Sequence, residues 1–141
     1  MQAQRSYSPW DHLLCYNKSM RHTARGIIIR NKKVLLVTAH GADFYWTPGG
    51  GIKLGETIVE ALSREIKEEL GASVTKCKSY YSYEYRDQKV DNFIVEITEH
   101  IAIGKEITNY VWYDSTLTAT KTSDGFRDIL RSRLISDGLI T

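Results

Sequence analysis

The sequence predicts a layered α/β protein with a mixed β-sheet, and three patterns support this fold class. The first is a pair of runs rich in β-branched residues, at positions 23–30 and 34–38, separated by a polar turn. The second is an amphipathic helix between residues 57 and 71. The third is a set of further strands followed by a second amphipathic segment near the C-terminus. With 141 residues, the chain has the length of one domain with a proper hydrophobic core.

Composition and charge argue against several protein classes. The net charge of +2 is too small to indicate a nucleic-acid surface, and no basic block occurs, so we expect nucleic acid to be an unlikely partner. No apolar run approaches the roughly 20 residues of a membrane span, and the first residues do not resemble a secretory signal. The sequence therefore predicts a cytoplasmic protein without a membrane partner. The cysteines and histidines show no metal-ligand spacing and are expected at packing or surface positions: Cys15, Cys77, His12, His22, His40 and His100.

Residues 1–20 precede the regular pattern. They contain Tyr7, Trp10 and Tyr16 among polar residues, without a clear periodicity. An arm, an extra strand packed on the core and a dimer contact all remain open for this segment, and a homodimer is accordingly a possible assembly. We expect residues 21–141 to form the domain itself.

The first two predicted strands form a hairpin, with the turn at residues 31–33. Ile27, Ile28 and Ile29 are apolar in succession, which is typical of a strand buried on both faces. After a loop at residues 40–43, residues 44–46 predict a short strand that leads into Pro48 and a glycine-rich loop at residues 49–51. Glycines allow the main chain to approach a ligand closely, although a plain turn would have the same composition.

The helix that follows has clear boundaries in the sequence. Thr57 and Glu60 have the spacing of a capping box, and Gly71 suits the left-handed residue that ends a helix. An apolar stripe at three- and four-residue steps indicates the face that packs on a core: Ile58, Ala61, Leu62, Ile66 and Leu70.

Three carboxylates occupy another face of the same helix. Glu65, Glu68 and Glu69 follow an i, i+3, i+4 spacing, so their side chains project from one patch. Like charges at this spacing, close to the negative end of the helix dipole, destabilise a helix unless a counter-charge is present. A divalent cation with a preference for hard oxygen ligands, Mg²⁺ or Mn²⁺, would supply that charge.

Residues 73–85 and 90–97 predict two strands around a turn. Alternation places Tyr81, Tyr83 and Tyr85 on one face of the sheet. Tyr80 and Glu84 then belong to the other face. Such a stripe is suited to stacking a nucleobase, to a dimer interface, or simply to covering the sheet, and Tyr83 is our candidate for contact with a substrate.

The C-terminal part predicts one more strand and one more helix. Residues 106–113 form the strand, with Trp112 as a core residue. Polar residues at 122–124 offer N-caps for a helix over residues 125–135. Its apolar stripe contains Phe126, Ile129, Leu130 and Leu134.

The segment from Gly50 to Ala72 resembles the signature of the Nudix hydrolases, G-x5-E-x7-R-E-U-x-E-E-x-G-U, in which U is aliphatic. The matching positions are Gly50, Glu56, Arg64, Glu65, Ile66, Glu68, Glu69 and Gly71. Ala72 departs from the pattern because a larger aliphatic residue is usual there. The resemblance covers 23 residues and implies the Nudix α/β/α sandwich with a mixed β-sheet.

The resemblance also implies a set of site residues. Glu65 and Glu69 correspond to metal ligands, Glu68 to a ligand or to the general base, and Gly49 to a ligand through its main-chain carbonyl. Arg64 and Glu56 correspond to a pair that orients the carboxylates. Arg25 is a candidate for holding a substrate phosphate, with an exposed strand-end charge as the alternative. Family members that use one more acid after the signature make the following residues candidates: Glu84, Asp91, Glu96 and Glu99.

The implied reaction is metal-dependent hydrolysis of the pyrophosphate bond in a nucleoside diphosphate linked to another group. The substrate stays open between a nucleoside triphosphate and a nucleotide-sugar or ADP-ribose type of molecule. The sequence disfavours dinucleoside polyphosphates, since no tyrosine stands at the usual downstream position, and capped RNA, since no basic patch occurs. A binding or sensor module with the same fold but without turnover is the alternative, although the intact run Arg64–Glu69 argues against it.

Overall fold

The computed structural model describes residues 20–141, so the predictions for residues 1–19, including Cys15 and His12, lie outside the described part. The elements follow in the order β1 (Arg21–Ile27), β2 (Ile29–Arg30), β3 (Lys33–Ala39), β4 (Gly49–Gly51), α1 (Ile58–Leu70), β5 (Val74–Tyr85), β6 (Gln88–Ile97), β7 (Ile107–Tyr113), a π-helical turn (Phe126–Leu130) and α2 (Arg131–Ser136). Across the described residues, no helix is long and apolar enough to span a bilayer.

The strands divide between two sheets. The first has the order β4-β1-β6-β5 and is mixed, because β1 and β6 are parallel whereas the other pairs are antiparallel. The second, β2-β3-β7, is antiparallel. The mixed sheet is confirmed, but the prediction of a single sheet was wrong. The isoleucine run explains the difference, since the chain passes from the first sheet to the second at the buried Ile28, between β1 and β2.

Helix α1 has the boundaries that its sequence predicts. The Thr57 hydroxyl accepts a hydrogen bond from the main-chain N–H of Glu60, and the Glu60 carboxylate accepts one from the N–H of Thr57. Gly71 ends the helix in the left-handed region, with φ of 64°. The buried face comprises Ala61, Leu62, Ile66 and Leu70. Local capping and one apolar stripe are therefore sufficient to define this element.

Two hydrophobic cores lie on the two sides of the sheets. The core under α1 contains Leu62, Ile66 and Leu70 with residues of both sheets, and Trp112 packs at its periphery. The second core is formed with the C-terminal helical segment through Phe126, Leu130 and Leu134. The layered α/β arrangement is therefore confirmed, with helical segments on both sides of the strands.

The C-terminal helix begins differently from its prediction. Arg131 donates its N–H to the carbonyl of Phe126, five residues earlier, so Phe126–Leu130 form a π-helical turn before α2 continues. Gly125 precedes this turn without a side-chain cap. Asp124, which the sequence offered as a cap, instead forms ion pairs with Arg86 at 3.0 Å and Arg127 at 3.1 Å. These ion pairs connect the β5–β6 turn to the start of the helix.

Two more local predictions were wrong. Residues 44–46 do not form a strand but make isolated bridges, Val37 with Trp46 and Tyr45 with Thr122. The glycine-rich segment is not a loop but the edge strand β4, because main-chain pairing with β1 requires no side chains.

The tyrosine stripe also differs in one position. The register shifts between Ser79 and Tyr81, so Tyr80 does not point away from its neighbours. The Tyr80 hydroxyl donates a hydrogen bond to the Asp137 carboxylate, and the Arg133 guanidinium lies 3.9 Å from the centre of the Tyr81 ring. Both tyrosines therefore contact the C-terminal helical segment.

We expect Leu134→Ala to lower the free energy of unfolding by about 2–5 kcal/mol, because a fully buried leucine of the second core would leave a cavity. Ile135→Ala is the matched control, since Ile135 is 41% exposed and its loss should cost less than about 1 kcal/mol. Urea denaturation measures both values. Equal losses for the two variants would contradict the described orientation of α2.

Candidate active site

The edge strand β4 brings the main chain into direct contact with α1. Gly49 has φ of 138°, a conformation that side chains disfavour, and a Cβ there would overlap the carbonyl oxygen of Ala24. A Cβ at Gly50 would come within 2.6 Å of the Glu65 carboxylate carbon. The absence of a side chain at Gly50 therefore allows Glu65 of α1 to reach the strand, whereas glycine at position 49 allows β4 to approach the backbone of β1.

Glu65 and Glu69 form a carboxylate pair over β4. Gly49 donates its N–H to Glu69 Oε1 at 3.1 Å, and the two side chains lie within hydrogen-bonding distance of each other. Burial, and then the charge of Glu65, raise the pKa of Glu69 well above its usual range. Two adjacent carboxylates in a partly buried site need a shared proton or a cation between them.

Arg64 fixes this arrangement from the side. Its guanidinium donates to both oxygens of Glu56, at 2.6 and 3.0 Å, and to Glu65 at 2.9 Å. It also donates to the carbonyl of Gly51 at 3.1 Å. The hydrogen bonds from Arg64, followed by the one from the N–H of Lys53, lower the pKa of Glu56 to about 2. Arg64 thus connects Glu56, which lies just before α1, with strand β4 and with Glu65 of the carboxylate pair.

Glu68 lies apart from the pair. Its side chain is 56% exposed, and its only charged partner in the described residues is Arg64, at 3.5 Å. Nowhere in residues 20–141 do three His, Cys, Asp or Glu side chains converge with the geometry of a metal site. The structure thus brings together Glu65, Glu69 and the Gly49 peptide, and it leaves Glu68 at the solvent side of the same helix face.

The chemistry of the pair nevertheless fits a divalent cation. Mg²⁺ is commonly held by one or two carboxylates, with waters and substrate phosphates completing the coordination, and it does not require a full set of protein ligands. The carboxylates of Glu65 and Glu69 lie beside each other over β4 and supply hard oxygen atoms that a divalent cation could bind. A cation there would also remove the repulsion that otherwise requires a shared proton.

Arg25 lies on the other side of the same peptide. Its Nη1 donates to the carbonyls of Thr47 and Gly49, both at 3.1 Å. No carboxylate among the described residues forms an ion pair with it, and burial lowers its pKa. Gly49 therefore donates its N–H to Glu69 of the carboxylate pair and accepts a hydrogen bond from the Arg25 guanidinium through its carbonyl. A partly buried cation without a carboxylate partner is suited to bind an anion.

Arg25 also borders an open cavity of about 970 Å³ on the sheet face opposite α1. Ala24 faces the α1 core, so the alternation of β1 turns Arg25 to the opposite face. Aromatic residues line this cavity: Phe44, Trp46, Tyr83 and Tyr85. The start of the C-terminal helical segment closes one side, and a Cβ on Gly125 would lie 2.9 Å from the Tyr83 hydroxyl.

The three tyrosines of the stripe, Tyr81, Tyr83 and Tyr85, make different contacts. The rings of Tyr81 and Tyr83 stack with centroids 6.1 Å apart, so one face of Tyr83 is covered. The Tyr85 hydroxyl donates to Asp128 of the π-helical turn at 2.6 Å. Of the three, Tyr83 and Tyr85 border the cavity, whereas Tyr81 does not.

The sequence analysis missed two buried polar groups beside Arg25. Asn92 stands opposite Arg25 in the β1–β6 register and donates its amide N–H to the carbonyl of Tyr81 at 3.0 Å. Its carbonyl oxygen, and the hydroxyl of Thr23, are buried without a partner in the described structure. Such groups require explanation because an unpaired buried polar atom is costly. The signal in the sequence was weak, because Asn92 follows Asp91 in a strand of which half the residues are polar.

The further acidic candidates lie elsewhere. Glu84, Glu96 and Glu99 are exposed. Asp91 is partly buried and accepts hydrogen bonds from His22 and Ser82. These contacts join Asp91 to β1 and β5 and do not involve the carboxylate pair.

Comparison with known proteins agrees with this geometry. Residues 20–128 match the family described as the NUDIX domain. An RNA pyrophosphohydrolase of Orientia tsutsugamushi is 36% identical over 81 residues, which are 52% of this chain and 50% of the relative. An ADP-ribose pyrophosphatase of Methanocaldococcus jannaschii is 41% identical over 70 residues, 45% of this chain and 41% of the relative. The chain thus spans about half the length of these curated relatives or less.

Solved structures agree in fold. A Nudix hydrolase family member from Chromobacterium violaceum superposes with a TM-score of 0.72 at 24% identity, covering 82% of this chain and 77% of the other. A MutT structure from work on Aliivibrio salmonicida and Vibrio cholerae gives 0.73 at 20% identity, covering 84% and 98%. The predicted Nudix-type sandwich is confirmed. Because the family match extends over most of its length, this chain belongs to the NUDIX domain family.

Proposed function

We propose that the protein hydrolyses the pyrophosphate bond of a nucleoside diphosphate linked to another group, in a metal-dependent reaction. The observation that supports this most directly is the Gly49 peptide, which contacts Glu69 on one side and Arg25 on the other. The proposed cation site and the proposed phosphate site then lie on either side of a single main-chain residue, Gly49. That is the arrangement needed to bind a pyrophosphate across the edge of β4.

Mg²⁺ or Mn²⁺ would be held by Glu65 and Glu69. The carbonyl of Gly49, which accepts a hydrogen bond from Arg25, would become a further oxygen ligand through its second lone pair. When bound, the cation would neutralise phosphate charge and lower the pKa of the attacking water. Glu68 is either a further ligand or the base that accepts the proton of that water, and its exposed position leaves it free for both roles. Arg64 and Glu56 hold the carboxylates in orientation.

The remaining residues bind and orient the substrate. Arg25 would donate to phosphate oxygens with the N–H groups that the carbonyls of Thr47 and Gly49 do not use. The nucleoside would enter the aromatic cavity, where Tyr83 stacks on or borders the base.

The identity of the group linked to the nucleoside diphosphate is not assigned. The relatives are named as RNA pyrophosphohydrolase, ADP-ribose pyrophosphatase and 8-oxo-dGTP diphosphatase, so nucleotide sugars, oxidised triphosphates and RNA 5′ ends are all reasonable substrates to test.

The expectations of a cytoplasmic protein, of a possible homodimer and of no nucleic-acid partner stay predictions. The second candidate, a nucleotide sensor without turnover, would use the same cavity.

A substrate panel tests the proposed function. We expect hydrolysis of one class among nucleoside triphosphates, oxidised triphosphates, ADP-ribose, nucleotide sugars and 5′-triphosphorylated RNA, in the presence of Mg²⁺ or Mn²⁺. Released phosphate or pyrophosphate is measured with coupled enzymes, and excess chelator should abolish the reaction. Activity that survives chelation would contradict the metal assignment. Nucleotide binding without turnover across the panel would favour the sensor.

We expect Glu68→Gln to lower kcat by about 10²–10⁴ if Glu68 is the general base, because the amide cannot accept the proton. The fold should persist, since the side chain is largely exposed. Glu60→Gln is the matched control on the same helix, because Glu60 is exposed and a glutamine can still accept the capping hydrogen bond from Thr57. Steady-state kinetics compare the two. A variant with near-normal kcat would exclude the base role.

We expect Arg25→Gln to raise KM by about tenfold or more, because a charged hydrogen bond to phosphate contributes roughly 1.5–3 kcal/mol. Arg25→Lys should restore only part of the affinity, since the ammonium lacks the planar fork of donors. Arg30→Gln is the matched control on the neighbouring strand, where the guanidinium lies 5.2 Å from the Trp112 ring. An unchanged KM in a folded Arg25→Gln protein would remove Arg25 from the substrate site.

A further inference from the structure

The last turn of α1 is held by a loop that follows β6. A helix ends with main-chain carbonyls that have no partner within the helix. Here Ala102 donates its N–H to the carbonyl of Leu70 at 2.7 Å, and Gly104 donates to the carbonyl of Glu69 at 2.9 Å. The turn that bears Glu68 and Glu69 is therefore hydrogen-bonded to a segment 32 to 35 residues further along the chain and not only to solvent.

Gly104 lies in very close contact with this turn. A Cβ at residue 104 would overlap the carbonyl oxygen of Glu68 and would stand 3.8 Å from the Cα of Glu69. Its φ is not in the left-handed region, so the backbone conformation is open to other residues. The close approach to Glu68 is thus the reason for glycine at this position.

The loop itself is fixed on both sides. Ile107 is buried in the core under α1, and Ile101 packs against the same core. Ile107 also donates its N–H to the carbonyl of Gly104 at 3.2 Å. Between these contacts the side chain of Ile103 is 41% exposed, so this part of the loop contacts α1 through its main chain. A segment fixed in this way can set the position of the helix end.

We propose that the main chain at Ala102 and Gly104 positions the carboxylates of α1, with Gly104 as the positioning residue. The inference rests on the proposed function, because it assigns to the loop the placement of Glu69 over β4 and of Glu68 at the solvent side. The two N–H groups also face the negative end of the helix dipole, which lowers the cost of holding two carboxylates on that turn. Displacement of the turn by a Cβ at residue 104 moves Glu69 relative to Gly49.

Gly104→Ala tests the positioning role. We expect Mn²⁺ to bind about tenfold more weakly or worse, and kcat to fall by a similar factor with KM nearly unchanged, as is typical when an outer support of a metal site is altered. Electron paramagnetic resonance measures free Mn²⁺ without any need for turnover. Thermal unfolding shows whether the variant stays folded. Ile103→Ala is the matched control in the same loop, and it should leave Mn²⁺ affinity and kcat unchanged.

Hydrogen exchange of the unaltered protein gives a second test that does not depend on a variant. Because linkage is reciprocal, saturating Mg²⁺ should slow exchange of the N–H groups of Ala102 and Gly104 if their bonds hold the cation site. Wild-type protein that neither binds Mn²⁺ nor turns over the panel would contradict the proposed function. A second outcome would overturn the positioning role alone. In that outcome the wild-type protein binds Mn²⁺ and turns over a substrate of the panel, Gly104→Ala has the same Mn²⁺ affinity and kcat as Ile103→Ala, and Mg²⁺ does not change the exchange of Ala102 and Gly104.

Discussion

The contact between the carboxylate face of α1 and the side-chain-free strand β4 is the constraint on which the rest of the site depends. Glu65 can lie over Gly50 only because position 50 has no Cβ, and Glu69 accepts a hydrogen bond from the Gly49 N–H. Each contact places negative charge in a partly buried position, where the pKa of Glu69 rises. Arg64, bonded to Glu56, Glu65 and the Gly51 carbonyl, stabilises this arrangement by joining helix and strand.

The site has two sides because β4 is an edge strand. The α1 side presents carboxylates, and the opposite side presents Arg25 and an aromatic cavity. A pyrophosphate bridged across such an edge would contact cation ligands and a guanidinium without passing through the sheet. In the proposed function this geometry would separate two requirements, since the chemistry would depend on α1 whereas selection of the nucleoside would depend on residues from β1, β5, β6 and the C-terminal helical segment.

The sequence was sufficient for those parts of the fold that local interactions determine. The bounds of α1 follow from the Thr57 capping box and Gly71, and the apolar stripe specifies its buried face. Tertiary pairing, in contrast, turned the glycine segment into a strand, and the register shift near Tyr80 reversed its predicted side. A helical spacing groups Glu65, Glu68 and Glu69 on one patch, but only the packed structure shows that Glu68 is largely exposed and is linked to Glu65 through Arg64.

The parallel pairing of β1 with β6 has a consequence for how the chain reaches its folded state. Thr23 is paired with Val90, so the centre of the first sheet closes a loop that contains β4 and all of α1. Closing a loop of this length is entropically costly, and contacts between distant residues slow folding. A nascent chain released only as far as α1 would possess every proposed metal ligand yet lack the central strand against which they are arranged. Synthesis of the ligands therefore precedes assembly of the site, which must await β6.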